Sequence, residues 1–300
     1  MNNYEPLPGM KEYLDSLYGK YNKRFFVCPD PLQFLYTYDD TLDMEIVGLI
    51  ASSLAYGRVA QIIKSVASVL DKMTPSPRSF IEKTPTCFIR DTFSSFRHRF
   101  TGGKELSELL VGIKYVIIKY GSLYQCFEKL FLHHGGALLP ALSSFVGELG
   151  GASNGGYNSL LPLPSRGSAC KRLNLFLRWM VRKDEVDPGV WTGLSPSILI
   201  VPLDTHMHRI GRELGFTKRR QADMKTAIEI TRSFRELCPE DPVRYDFALT
   251  RLGIRSDLNH EQERIAISIA DGVIGLTESQ AHCLRLSDHE MSEPQISDCN

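Results

Sequence analysis

The sequence predicts an all-α protein, on three observations. Apolar residues recur at helical spacing along much of the chain, and one segment is apolar on nearly every side. No run alternates apolar and polar residues as a half-buried strand would, and no internal repeat of about 20–50 residues appears.

The all-round apolar segment is 45–56 (EIVGLIASSLAY), which reads as a helix buried in the middle of a domain. After Gly57, Val59, Ile62, Ile63, Val66, Val69 and Leu70 keep one helical face until Pro75 and Pro77 stop it. Leu106, Leu109, Leu110, Ile113, Val116 and Ile117 place a helix over 105–118, and 124–133 and 138–149 read as two more. The Gly/Ser/Pro-rich stretch 150–168 is the clearest break in the chain. Lys171 then opens the amphipathic segment KRLNLFLRWMVRK, followed by a loop through Asp187, Pro188, Gly189 and Trp191. Residues 205–214 form a helix closed by Gly215. A further helix covers 221–236, and Pro242 opens a last one that Gly253 closes.

Composition bounds the class. The chain has 300 residues, 43% hydrophobic and 23% charged, enough for one large domain or two lobes. Its first residues, MNNYEPLPGM, lack the basic and apolar pattern of a secretory signal, and no window approaches about 18 uninterrupted apolar residues. A soluble, cytoplasmic protein with no membrane partner is expected. The seven cysteines (28, 87, 126, 170, 238, 283, 299) are scattered, the closest pair 16 positions apart. This spacing offers no zinc or iron–sulfur cluster, so free thiols, no metal and no cofactor are expected.

Net charge is zero, but it is unevenly spread. Beyond residue 254 there are 3 Lys+Arg against 9 Asp+Glu, whereas 165–235 holds 14 basic residues against 7 acidic ones. Such a basic segment is the footprint of a phosphate-backbone binder, although solvated helix faces carry similar runs.

Two residues in this segment carry chemistry. Lys171 starts a helix, where the positive end of the dipole opposes its charge by a few tenths to about 1 kcal/mol. Arg172 adds to that effect, which favours an amine that gives up its proton. Asp204, 33 positions later, starts the next helix, where negative charge is stabilised. An amine and a carboxylate brought together can attack an anomeric carbon and stabilise the resulting cation. Each has a plain alternative: Asp is among the best N-cap residues, and most lysines are solvated.

The residues around this pair resemble a known family. PLDTHMHRIGRELGF resembles the VDTHVxRVxxRLG segment of the helix-hairpin-helix DNA glycosylases, the superfamily of endonuclease III and the oxidised-guanine glycosylases. KRLNLFLRWMV resembles the helix that follows their hairpin, and EIVGLIASSLAYGRVAQIIKSVASVL their buried central helix. More narrowly, GSACKRLNLFLRWMVRKD and PLDTHMHRIGRELG resemble a bacterial family designated DUF2400, related to those glycosylases. The resemblance covers most of 43–254.

It implies two helical lobes with a cleft between them: 43–165 as a central lobe, and 1–42 with 166–257 as the second. Residues 258–300 would be an acidic, partly disordered tail. It implies a monomer that binds damaged double-stranded DNA and cleaves the N-glycosidic bond of a damaged base. By position, Asp204 is the activating carboxylate and Lys171 the Schiff-base nucleophile. Lys183, 21 residues before Asp204, is a rival nucleophile. The family's LPGVG hairpin is replaced by Leu163–Ser168, so Arg166, Gly167 and Ser168 would hold a phosphate. Arg172, Arg178, Arg182, Lys218, Arg219 and Arg220 would extend that surface. The Asn or Gln wedge that the family presents after its central helix is replaced near Leu54–Tyr56, and Tyr56 and Arg58 would bind DNA. Two other readings stay open: a nucleic-acid-binding or regulatory protein with a lapsed site, and a helical protein–protein adaptor.

Overall fold

In the computed structural model, residues 9–151 and 158–254 are described. Among them the elements are α1 (Met10–Tyr21), α2 (Thr41–Ser53), α3 (Val59–Leu70), α4 (Pro77–Lys83), α5 (Thr86–Thr92), β1 (Arg97–His98) and β2 (Thr101–Gly102). These are followed by α6 (Gly103–Tyr120), α7 (Leu123–His133), α8 (Leu138–Gly150), α9 (Lys171–Val181), α10 (Thr205–Glu213), α11 (Met224–Leu237) and α12 (Asp246–Ile254). The fold is all-α.

Helix α2 is the buried helix that its all-round apolar sequence predicts: every residue from Glu45 to Ser53 is buried. Asp40 caps it through the Leu42 N–H at 2.7 Å. It packs on α9 and on the short 3-10 helix Pro31–Thr37. Gly48 faces α9, where an added Cβ would lie 2.9 Å from the flexible end of the Met180 side chain and 3.5 Å from the Phe176 ring. The buried Glu45 carboxylate accepts the Leu123 and Tyr124 amides at 2.7 and 2.9 Å and the Trp191 indole N–H at 3.2 Å. It thus serves the unsatisfied amides at the start of α7 and ties them to α2. Burial raises the Glu45 carboxyl above its ordinary range. Trp191 itself packs against Phe127 and Phe176, so this indole is core.

Several elements depart from expectation. The described residues contain one antiparallel hairpin, β1–β2, with Arg97 opposite Gly102 and His98 opposite Thr101. Two-residue strands are too short to show an alternating pattern. Helix α1 is not among the predicted helices, although Met10, Leu14, Leu17 and Tyr21 line one buried face. Helix α12 begins at Asp246 rather than Pro242, with turns in between. Helix α9 ends at Val181; Arg182 is already extended, so Lys183 lies outside the helix. The Gly215 stop behaves as read: with φ 74 it lets the Phe216 N–H return to the Gly211 carbonyl at 2.8 Å. No described helix is long and apolar enough to cross a membrane. The expected acidic tail lies outside the described residues, as do positions 152–157 of the Gly/Ser-rich stretch.

Candidate functional site at the starts of two helices

The chain reaches Lys171 through a sharp local turn. Gly167 takes a left-handed conformation (φ 79) after the 3-10 turn Pro164–Arg166. Cys170 does the same with φ 47 and ψ 38, a conformation that costs a non-glycine residue roughly 1–2 kcal/mol. Its amide donates to Ser168 Oγ at 3.3 Å and its thiol is buried. Burial raises that thiol to about 11, so it stays protonated at neutral pH. The turn makes Lys171 the first residue of α9.

Asp204 is the N-cap of α10. One oxygen, Oδ1, accepts the Met207 N–H at 2.8 Å. The other, Oδ2, lies 3.2 Å from Lys171 Nζ. Cap and ion pair therefore use different oxygens of one carboxylate, and the capping role does not compete with a chemical one. The side chains are 35% and 23% exposed, which leaves the pair open to a reactant from solvent. Behind it, Asp246 is buried and paired with Arg178. Burial pushes the Asp246 carboxyl up to about 6; Arg178 opposes this, and the Asp204 charge adds to it.

Lys183 is not part of this arrangement. It sits beyond the opposite end of α9, which is 11 residues or about 16 Å long. The geometry therefore joins Asp204 to Lys171 and leaves the rival lysine elsewhere.

The expected phosphate-binding residues fall into three groups. Arg166, Ser168, Lys218, Arg220 and Arg58 are exposed. Gly167 is exposed too, but its N–H donates to the Pro164 carbonyl at 3.0 Å and is not offered to a ligand. Arg172 and Arg219 are partly committed. Arg172 donates to the carbonyls of Ser53 and Ser159 at 2.8 and 2.5 Å and lies over the Tyr56 ring at 5.1 Å. Arg219 pairs with Asp223 at 2.6 Å. Arg178 and Arg182 are buried in ion pairs with Asp184, Asp187, Asp241 and Asp246, out of reach of a phosphate. Tyr56 is half-buried; its hydroxyl donates to the His98 carbonyl at 2.9 Å and is 2.6 Å from Thr101 Oγ1.

A cation cluster adjoins Asp204, of which only Lys218 is among the residues expected from the sequence. Thr205, His208, Arg209, Arg212, Glu213, Thr217 and Lys218 line an open cavity of about 540 Å³. His208, Arg209 and Arg212 share the polar side of α10, spaced as one helical face requires. That spacing was the available signal. His208 Nε2 bonds the Arg219 carbonyl at 3.0 Å, which fixes the edge of the cavity.

Residues 30–255 match the family described as "Protein of unknown function (DUF2400)". The chain belongs to the DUF2400 family. The match includes Lys171, Asp204, the basic cavity and the buried Arg/Asp network, so this DUF2400 chain carries its whole candidate site within the family's span. No curated protein and no solved structure matches it. Among the described residues of this DUF2400 member, no group of three or more His, Cys, Asp and Glu is placed to hold a metal ion.

Proposed function

We propose that this chain acts on DNA as a base-excision glycosylase-like enzyme, with Lys171 as nucleophile and Asp204 as its carboxylate partner. The 3.2 Å contact between Lys171 Nζ and Asp204 Oδ2 carries this reading. The carboxylate takes the ammonium proton, and the neutral amine attacks the anomeric carbon of the deoxyribose. The N-glycosidic bond breaks, the base leaves with the bonding pair, and Asp204 passes the proton it took from Lys171 to that base, so that the re-ionised carboxylate faces the oxocarbenium-like sugar. Asp204 then moves one proton from the attached nitrogen to the ring oxygen O4′, the C1′–O4′ bond breaks, and the sugar opens to a protonated Schiff base on Lys171. The cavity beside Asp204 supplies cations for the flanking phosphates, and its affinity falls with salt. The resemblance to the glycosylases, and the two lobes with a cleft that it implies, belong to this proposal.

The test is covalent trapping. Duplexes carrying an abasic site or an oxidised base are incubated with the protein and borohydride, which reduces the Schiff base to a stable amine. An adduct that Lys171→Gln and Asp204→Asn both lose supports the reading; no adduct and no base release from any such duplex removes it. A second reading, binding without catalysis, is favoured by the Leu163–Ser168 turn that stands where the glycosylase family has its hairpin, since its Gly167 N–H is spent on the Pro164 carbonyl at 3.0 Å. Duplex binding with neither trapping nor base release selects it.

A further inference from the structure

A second feature lies at the β1–β2 hairpin. Its two-residue loop is Arg99–Phe100, between the paired residues His98 and Thr101. Tight hairpin loops of this length favour glycine or asparagine where φ is positive. Here Arg99 holds φ 53, a left-handed conformation that a residue with a Cβ adopts only at a cost. The next residue, Phe100, is 84% exposed, the most exposed of the large apolar side chains among the described residues. Local stability favours neither residue at its position.

The base of the hairpin is nonetheless anchored. The Arg99 side chain lies over Gly57, where an added Cβ would meet Arg99 Cδ at 2.7 Å and Nη1 at 2.9 Å. The His98 ring is 3.0 Å from the Tyr56 carbonyl and 2.9 Å from Ser65 Oγ. The Tyr56 hydroxyl holds both strands, and its ring carries Arg172, the neighbour of Lys171. A continuous set of contacts thus joins the hairpin to the candidate site. Around Phe100, Arg97, Arg99 and Lys104 line an open cavity of about 360 Å³ with a single carboxylate, Glu105. That carboxylate is already engaged, accepting the Gly102 N–H at 2.9 Å.

An exposed ring inside a ring of cations matches an unpaired nucleotide: an aromatic face for the base and positive charge for the flanking phosphates. In a closed duplex the base faces are stacked on one another and offer no surface to an aromatic side chain. We infer that the Arg97–Gly102 hairpin is a binding site for an unpaired nucleotide of a DNA strand, its base stacked on Phe100 and its phosphates held by Arg97, Arg99 and Lys104. This inference rests on the DNA reading above and narrows it, since the DNA engaged must include an unpaired strand beside the Lys171–Asp204 pair.

The test uses the full chain with labelled oligodeoxythymidine and with a fully paired duplex, read by fluorescence anisotropy. Phe100→Ala removes an exposed side chain and leaves the fold intact. It should weaken oligodeoxythymidine binding roughly tenfold and leave duplex affinity unchanged. Lys104→Gln should make the salt dependence of single-strand binding shallower by about 0.7 in log–log slope. Phe100→Trp provides an independent signal: Trp179 and Trp191 are buried, so quenching on adding the single strand reports on the tip. Single-strand binding that Phe100→Ala does not weaken, with no quenching in Phe100→Trp, overturns the inference and leaves the DNA reading standing. Binding of neither DNA at low salt overturns both.

Discussion

The two ends of α9 carry the same kind of residue and do opposite things. At its start, Lys171 meets one carboxylate, Asp204, at an opening to solvent. At its end, Arg178 and Arg182 enter a largely buried network with four aspartates. Arg178 pairs with Asp187 at 3.0 Å and with Asp246; Arg182 pairs with Asp187 at 2.9 Å, Asp241 at 2.7 Å and Asp184. Burial disfavours the Arg178 charge, but Asp187 and Asp246 more than offset it and hold the guanidinium above its ordinary value. Two of the aspartates arrive by local chain geometry: Asp184 Oδ1 accepts the Val186 and Asp187 amides at 2.7 and 2.8 Å, folding the RKDEVD segment back onto α9. A cation becomes structural where acids close around it and remains available where only one does.

Four experiments sharpen or break this contrast. Asp187→Ala should have the largest effect, because it strips a shared partner from two buried arginines. A loss of about 3–5 kcal/mol in urea unfolding is expected, and a loss below about 1 kcal/mol would mean the network is hydrated. Next comes pH. The folded Asp246 carboxyl titrates at about 6, above its ordinary 3.8, so between these values the folded chain binds more protons than the unfolded one. The stability this group contributes is therefore lost as pH rises from about 3.8 to about 6. Asp246→Asn should flatten that part of the stability–pH curve; an unchanged slope would place the titration elsewhere.

Third, Asp204→Ala should cost about 1 kcal/mol through the lost cap, whereas Asp204→Asn, an equally good cap, should be nearly neutral. If Asp204→Asn is as unstable as the alanine variant, the ion pair and not the cap holds α10. Smallest is Lys171→Gln, at a few tenths of a kcal/mol, since a solvent-open ion pair contributes little. A large loss there would make the N-terminal end of α9 structural after all, and the contrast would fail.

Much of the helical scaffold is legible in the chain itself. The apolar run 45–56 gives a buried α2, and Gly215 ends α10 at the point its backbone freedom allows. Asp204 is legible as a helix start because an N-cap is local chemistry. That Lys171 rather than Lys183 faces it is not, because α9 separates the two lysines by its own length and only the packed chain selects an end. Nor is the burial of Arg178 and Arg182, read from charge alone as a phosphate surface; ion pairing to Asp241 and Asp246 crosses some sixty residues of sequence. Local periodicity, caps and turn residues thus determine where helices begin and end. Which charges meet, and whether water reaches them, depends on long-range packing that no single segment encodes.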